Sequence, residues 1–232
     1  MNGYFSRWRM LALGPCLLAS LQLTASPVRG ADEEIKTARF RVVGRVANDP
    51  PVVQHWYLTV DEIRMEMPGE QAVSIVETDL PLLATTIQNV RLKQSVEISF
   101  VDKRVWRKQL DEKLLRHCQN PAVAMRRIVT NEAELVREEK IAGRVSQVYR
   151  VKKLDFLFMS GPDGEKDSAT LWVDRETKLP VRIELKSATL DGDGCEVVFD
   201  EFVWNEPLDA KLFALTPPPG FAVEDADGAE TR

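Results

Sequence analysis

Residues 171–185 constrain most strongly what this chain can fold into. They contain two runs of alternating apolar and polar residues, separated by the polar stretch 175–178. In the second run Val181, Ile183 and Leu185 alternate with charged residues. A strict period of two is typical of a strand with one buried and one exposed face. The segment therefore predicts an antiparallel hairpin in a sheet whose apolar side is covered.

Similar alternation recurs along most of the chain. It predicts strands at 39–46, 55–67, 72–78, 82–88, 96–101, 134–141, 144–151, 154–159, 169–174, 180–188 and 195–204. The parity of the pattern in 55–67 changes at Asp61 and Glu62, which predicts a β-bulge there. Helices are predicted at 107–117 and 121–131, with a helical turn at 209–213. Strands with helices grouped mid-chain indicate an α+β fold, a highly curved antiparallel sheet with helices on one face.

The first thirty residues predict an export signal. Arg7 and Arg9 precede an apolar run over residues 10–25 that contains Pro15 and is short for a membrane span. Residues 1–30 are therefore predicted to be a signal peptide, with an uncleaved N-terminal anchor as the alternative. Residues 31–221 carry no long linker or repeat and are predicted to be one domain, followed by an acidic flexible tail at 222–232.

Charge and cysteine content limit the partners. The net charge is −5, which argues against a nucleic-acid partner. Cys118 and Cys195 remain after the predicted leader, and the sequence leaves open whether they pair or are two buried thiols. Neither lies in a spacing typical of a metal site, so no metal is predicted.

The sequence carries none of the common catalytic signatures. It has no Gly-x-Ser-x-Gly elbow, no His-Glu-x-x-His motif, no P-loop and no Gly-x-Gly-x-x-Gly. Its two histidines, His55 and His117, lie beside no convincing nucleophile. The loop from Asp191 to Gly194 looks superficially like a calcium loop, but Phe202 occupies the twelfth position and a hairpin turn is favoured. We therefore predict a protein that is not an enzyme and has no cofactor.

Apolar and soft side chains spread over several strands have two interpretations. They form an ordinary packed core, or they line a cavity that accepts apolar ligands. Alternation alone selects the candidate lining residues of such a cavity: Phe40, Val42, Met65, Met67, Val181, Ile183 and Leu185. A register slip by one residue would invert this choice for any one strand.

Three segments of the C-terminal half resemble LolA-like proteins, the superfamily of outer-membrane lipoprotein carriers. Residues 171–184 resemble the hairpin W-[VIL]-D-x-x-T-x-L-P-x-[RK], and 139–151 resemble a preceding pair of strands. Residues 198–221 are similar to the family's ending, in which a strand is followed by x-P-L-D-x-x-L-F-x-L-x-P-P-x-G-[YF]. The match is best over 138–221. The resemblance implies an incomplete β-barrel closed by helices that cover its concave side, around an apolar cavity.

The resemblance also implies a function. We predict an exported protein of the periplasm or cell envelope that holds acyl chains or a lipidated polypeptide in the half-barrel, as a lipoprotein carrier does. Its partners would be lipids or lipoprotein acyl chains. The alternative is an RseB-like envelope sensor that binds a membrane regulator. Arg39, Arg41 and Arg45 are the candidates for the cavity arginine of the carriers.

Overall fold

A computed structural model of the chain describes residues 35–46, 50–69, 82–110, 133–141, 143–151, 168–187 and 194–225. Within these ranges the chain forms twelve strands and one short 3-10 helix. In chain order they are β1 (Ala38–Val46), β2 (Val52–Leu58), β3 (Glu62–Pro68), β4 (Leu82–Asn89), β5 (Gln94–Ser99), β6 (Arg104–Gln109), β7 (Ala133–Ile141), β8 (Arg144–Val151), β9 (Ser168–Asp174), β10 (Pro180–Ser187), β11 (Cys195–Trp204), the 3-10 helix Ala210–Phe213 and β12 (Ala222–Asp225).

All twelve strands belong to one open sheet, in the order β12-β6-β5-β4-β3-β2-β1-β11-β10-β9-β8-β7. Every neighbouring pair is antiparallel except β12 and β6, which run parallel. Strands twist, so an open sheet of this width curls instead of staying flat. The predicted curved antiparallel sheet is therefore confirmed. The predicted helix at 121–131 lies outside the described residues.

The sheet has two chemically distinct sides. In β1, Ala38, Phe40 and Val42 are buried, while Arg39 and Arg41 between them point to the other side. The register across the strands pairs Val42 with Phe199, and Phe199 with Ile183. These residues lie on what we call the apolar face, and Arg39 and Arg41 lie on the opposite, polar face.

The β9–β10 hairpin predicted from residues 171–185 is confirmed, because Ile183 pairs with Leu171 and Leu185 with Ala169. Asp174 fixes the turn by accepting hydrogen bonds from the backbone N–H groups of Glu176 at 2.9 Å and Thr177 at 2.8 Å. Burial alone would raise the pKa of Asp174. The hydrogen bonds from Thr177 and Glu176 outweigh it and hold that pKa below its ordinary value.

Asp174→Asn is expected to lower the free energy of unfolding at neutral pH by about 1–2 kcal/mol, since a charged acceptor binds N–H groups more strongly than a neutral amide. The pKa of Asp174 is depressed in the folded state, so its stabilisation is present above the unfolded-state pKa. It is lost as the pH falls through the folded-state pKa. Urea unfolding should therefore show the two proteins converging in acid. Glu176→Gln in the same exposed turn is the control, and a constant difference at every pH would contradict the assignment.

The predicted single strand at 55–67 is wrong. The chain reverses at residues 59–61, and β2 and β3 pair as an antiparallel hairpin in which Trp56 faces Met65. The N–H of Thr59 donates to the carbonyl of Glu62 at 2.9 Å across the turn. The change of parity at Asp61 marks this reversal and not a bulge. The turn contains no glycine or proline, so the sequence carried no strong signal for it.

The predicted helix at 107–117 is wrong over its first three residues. Residues 107–109 belong to β6, which pairs with β5 on one side and with β12 on the other. Hydrogen bonds to two neighbouring strands override a weak local helix propensity. Leu110 is described outside any helix, and the remainder of that segment lies outside the described residues.

The C-terminal segment returns across the polar face. Asp209 caps the 3-10 helix by accepting a hydrogen bond from Lys211 N–H, which confirms the predicted turn at 209–213. Leu215 and Phe221 then pack on a small cluster of Val96, Ile98 and Val105. Residues 222–225, predicted to begin a flexible tail, instead form β12.

Several predicted features lie outside the described residues. They are the leader at 1–30, the strands at 72–78 and 154–159, the loop residues 191–193, His117 and Cys118, and the remainder of the tail at 226–232. Cys195 is described and carries a free, half-buried thiol. Burial raises the pKa of that thiol, with a smaller effect from Glu196.

Candidate ligand-binding face

Five of the seven predicted lining residues come together on the apolar face. Phe40, Val42, Ile183 and Leu185 belong to one buried cluster, and Met65 packs against it while remaining partly exposed. Two of the predicted residues do not join this cluster. They are Met67, which shares the face of Met65 by alternation but lies towards the end of β3, and Val181, which lies at a register shift between Pro180 and Arg182.

An aromatic group centred on Phe40 occupies the middle of the apolar face. The Phe40 ring lies 5.8 Å from Trp56, 4.9 Å from Phe202 and 6.0 Å from Phe199, measured between ring centroids. Phe202 stacks on Trp204 at 5.6 Å with nearly parallel planes. The sequence-based selection of lining residues missed Trp56, Phe202 and Trp204.

A bulge in β11 explains why Phe202 was missed. Residues 199 and 202 differ by an odd number, so a regular strand would place them on opposite faces. The pairing of β1 with β11 shifts between Arg39 and Arg41, and Glu201 adopts a φ of 56°. This bulge returns Phe202 to the side of Phe199. The charged pair at 200–201 inside an apolar run is the only signal that the sequence carried for it.

Four side chains of this group keep accessible surface. Trp56, Met65, Phe202 and Trp204 are only partly buried, although they pack against the cluster that contains the fully buried Phe40. The indole N–H of Trp56 donates to Gln54 Oε1 at 2.9 Å, and that of Trp204 donates to the carbonyl of Pro180 at 3.0 Å. Because both indole donors are satisfied, the ring faces can contact an apolar ligand without leaving an unpaired polar group.

The apolar character of this face ends at β4. Across neighbouring strands Trp56 pairs with Met65, Met65 with Thr86, and Thr86 with Glu97. These side chains therefore lie in one row on the same face. Ser95 and Ser99 lie on the same side and are 1% and 3% exposed. The surface suited to an apolar ligand is therefore limited to β1–β3 and β9–β11.

The three arginines considered for a cavity role lie on the polar face. Arg41 donates from Nε and Nη2 to the two carboxylate oxygens of Asp200, both at 2.9 Å, in a fork-like ion pair. The hydrogen bonding to Asp200 is the main cause that raises the pKa of Arg41. Arg39 pairs with Glu206 and Arg45 with Glu196. Alternation in β1 directs all three candidates away from Phe40, so none of them lies on the apolar face.

The polar face also buries a tyrosine. Tyr57 is 7% exposed, and burial together with the nearby Glu66 carboxylate raises the pKa of Tyr57 to about 12. Glu66 in turn pairs with Arg64 at 2.6 Å, and Arg64 donates to the carbonyl of Leu212. A phenol with so high a pKa stays protonated at neutral pH, and this group of residues anchors the C-terminal segment to the sheet.

A separate cleft of about 410 Å³ lies where β5 and β6 meet the C-terminal segment. Its lining comprises Gln94, Ser95, Val96, Arg107, Lys108, Gln109, Leu215, Thr216, Pro217 and Asp225. None of the seven predicted lining residues contributes to it. The cleft is largely polar, so it does not suit the acyl ligand expected from the sequence.

Metal ligands and membrane-spanning helices are the remaining features that could point to a function. Within the described ranges no group of three or more His, Cys, Asp or Glu side chains is placed to hold a metal ion. None of the helical structure in the described part of the chain is long and apolar enough to cross a membrane.

Comparison with known proteins gives matches only among solved structures, because no protein-family model and no curated protein match the sequence. An uncharacterized conserved protein from Thermus thermophilus is 12% identical with a TM-score of 0.47, over 83% of this chain and 91% of that one. A LolA superfamily protein from Nitrosomonas europaea is 10% identical with a TM-score of 0.32, over 80% and 92%. MucB in complex with MucA is 16% identical with a TM-score of 0.34, over 77% of this chain.

The solved structures similar to this chain thus include a protein of the LolA superfamily, whose motifs the sequence resembles. This chain spans only about half of MucB, 54% of its length. All three identities are at or below 16%, and all three TM-scores are below 0.5.

Proposed function

We propose that this chain is an exported binding protein that shelters the acyl chains of a lipid or lipoprotein against its apolar face. Its location would be the periplasm or cell envelope, and its role that of a carrier or chaperone rather than an enzyme. The observation that carries the proposal is that Trp56, Met65, Phe202 and Trp204 stay partly exposed while they pack against the buried cluster around Phe40. Complete burial of a large apolar side chain contributes about 1.5–3 kcal/mol, so surface left accessible in such a group is available to a ligand.

The energetics of an acyl ligand need no precise polar site. Each buried methylene contributes about 0.8 kcal/mol. A chain with roughly ten buried methylenes would gain about 8 kcal/mol before the cost of association. This agrees with a sequence that lacks catalytic motifs, and the thioether of Met65 can adapt to ligands of different shape.

The direct test is to extract the purified exported protein with organic solvent and to identify bound lipids by mass spectrometry. We expect co-purified lipid, and uptake of a fluorescent fatty acid by the delipidated protein. Protein that carries no lipid and takes up no fatty acid would contradict the proposal.

Met65→Asp makes this test specific to the apolar face. A charge at this partly exposed position should weaken fatty-acid uptake by about tenfold or more, since it opposes burial of the acyl chain. Val43→Asp is the matched control, because Val43 is partly exposed on the opposite side of β1. Ile183→Asp should abolish uptake, but Ile183 is 0% exposed and its loss requires a folding control. Equal uptake by parent and Met65→Asp would exclude the apolar face as the binding surface.

The alternative role, an envelope sensor that binds a membrane regulator, makes a different prediction about the leader. A tethered protein cannot carry cargo between membranes, whereas a sensor can stay attached. N-terminal sequencing of the exported form separates the two: cleavage near residue 30 supports the carrier, and an intact leader supports the sensor.

A further inference from the structure

Two hairpin turns at one end of the sheet form an exposed surface that adjoins the apolar cluster through Val90. We define the turn tip as residues 59–61, between β2 and β3, together with residues 90–93, between β4 and β5. The connections after β2 and β4 lie at the same end of an antiparallel sheet. The N–H of Val90 donates to the carbonyl of Asp61 at 2.7 Å, and Asn89 donates to Glu62 at 3.0 Å. These bonds join the two turns into one unit.

The turn tip exposes apolar side chains where turns usually carry polar ones. Leu92 is 57% exposed and Val60 is 39% exposed. Lys93 adopts a φ of 57° without being glycine, and its carbonyl accepts a hydrogen bond from the N–H of Leu110 at 2.8 Å. The turn is thus held in a defined conformation that presents Leu92 outward. Leu92 and Val60 are therefore the apolar side chains that a partner bound at the tip would remove from water.

The charge around the tip selects the kind of partner. Arg91 and Lys93 flank Leu92 and are exposed. Basic residues continue along the same end of the sheet in the turns of the β7–β8 and β9–β10 hairpins, where Arg144, Arg175 and Lys178 are exposed. Arg144 and Arg175 are ion-paired, however, with Asp174 and Glu138, and the turns also carry the exposed acids Asp61 and Glu176. The charged side chains of the turn tip itself are Arg91, Lys93 and Asp61, so the tip carries more positive than negative charge in a chain whose net charge is −5.

We propose that the turn tip docks on an anionic lipid bilayer. Leu92 and Val60 enter the boundary between headgroups and acyl chains, and Arg91 and Lys93 bind lipid phosphates. Two turns of three and four residues offer too little area for a stable protein–protein interface, which buries about 800 Å² on each partner, whereas a fluid bilayer adapts to them. This inference rests on the proposed function, because it gives the carrier its point of contact with the membrane that supplies or receives the acyl chain.

Sedimentation with vesicles tests the docking. The probes are vesicles of phosphatidylcholine alone and of phosphatidylcholine mixed with phosphatidylglycerol. Every variant is prepared as the parent is, so that residues 1–30 contribute equally. The parent should bind the anionic vesicles, and less so at high salt. Leu92→Ser should weaken binding about tenfold, from the lost apolar burial. Arg91→Gln should weaken it about fivefold, from the lost charge.

Val101→Ser is the matched control. Val101 is 61% exposed in the turn between β5 and β6, which lies at the opposite end of the sheet. Its replacement should leave vesicle binding unchanged. The proposal would be overturned if the parent protein did not bind anionic vesicles. It would also be overturned if Leu92→Ser and Val101→Ser weakened vesicle binding equally.

Fatty-acid uptake in solution separates this inference from the proposed function. Leu92→Ser should take up the fluorescent fatty acid as the parent does, because Leu92 lies outside the apolar cluster. Vesicle binding that depends on Leu92, in a protein that takes up no fatty acid, would support the docking surface and overturn the carrier function alone.

Discussion

Replacing Phe40 with alanine is expected to lower the free energy of unfolding by about 3–5 kcal/mol, since such truncations leave a cavity in addition to the lost burial. Phe40 is 0% exposed and lies between three aromatic rings contributed by β2 and β11. Because β1 pairs with both strands, the cavity would open at the centre of the sheet. Urea unfolding monitored by circular dichroism measures the loss, with an unchanged dependence on urea showing that the native state stays compact.

Phe100→Ala provides the comparison. Phe100 is partly buried beside the smaller cluster on the polar face, and the only ring that we find near it in the described structure is Phe221 at 5.7 Å. The expected loss is about 1–2 kcal/mol, in the usual range for a partly buried position. Equal losses in the two variants would mean that the Phe40 cluster is not the principal core of the protein.

Replacing Asp200 with alanine is expected to cost about 2–3 kcal/mol, because it removes two charge-assisted hydrogen bonds from a partly buried guanidinium. The side chains of Arg41 and Asp200 are 19% and 16% exposed, so water replaces the lost carboxylate only in part. Glu201 remains near Arg41 at 3.1 Å and limits the damage. Unfolding of Asp200→Ala, of Arg41→Leu and of the double variant measures the coupling between the two side chains.

A second ion pair between the same two strands is the control. Arg45 and Glu196 lie 3.7 Å apart and are 58% and 35% exposed. Glu196→Ala should cost less than about 1 kcal/mol, as is usual for a pair in contact with water. If Glu196→Ala and Asp200→Ala lowered the free energy of unfolding by the same small amount, burial of the Arg41 pair would contribute nothing to stability.

Local alternation was sufficient to predict much of the sheet. The strand predicted at 195–204 is β11 with the same bounds, and the hairpin predicted from residues 171–185 is formed by β9 and β10. Of the predicted lining residues, Phe40, Val42, Ile183 and Leu185 lie in one buried cluster. Whether that cluster contacts a ligand stays a prediction.

The predictions that were wrong lie where a single residue shifts the alternation of apolar and polar side chains. The turn at 59–61 contains no glycine and shifts the alternation as a bulge would, so the sequence pattern does not distinguish the β2–β3 hairpin from one long strand. The true bulge in β11 then moved Phe202 to the apolar face, although its position in the sequence suggested the polar one.

Within the regular parts of the strands, the sequence by itself determined which side chains share a face, since each backbone step of an extended chain reverses the side-chain direction. It thereby determined that Phe40 and Arg41 point to opposite sides of β1. Only the tertiary structure decided which strands are neighbours: β1 lies beside β11, and residues 222–225 pair with β6. Pairing depends on hydrogen bonds between segments far apart in the chain, and these assembled the aromatic group around Phe40 and joined the two turns of the turn tip.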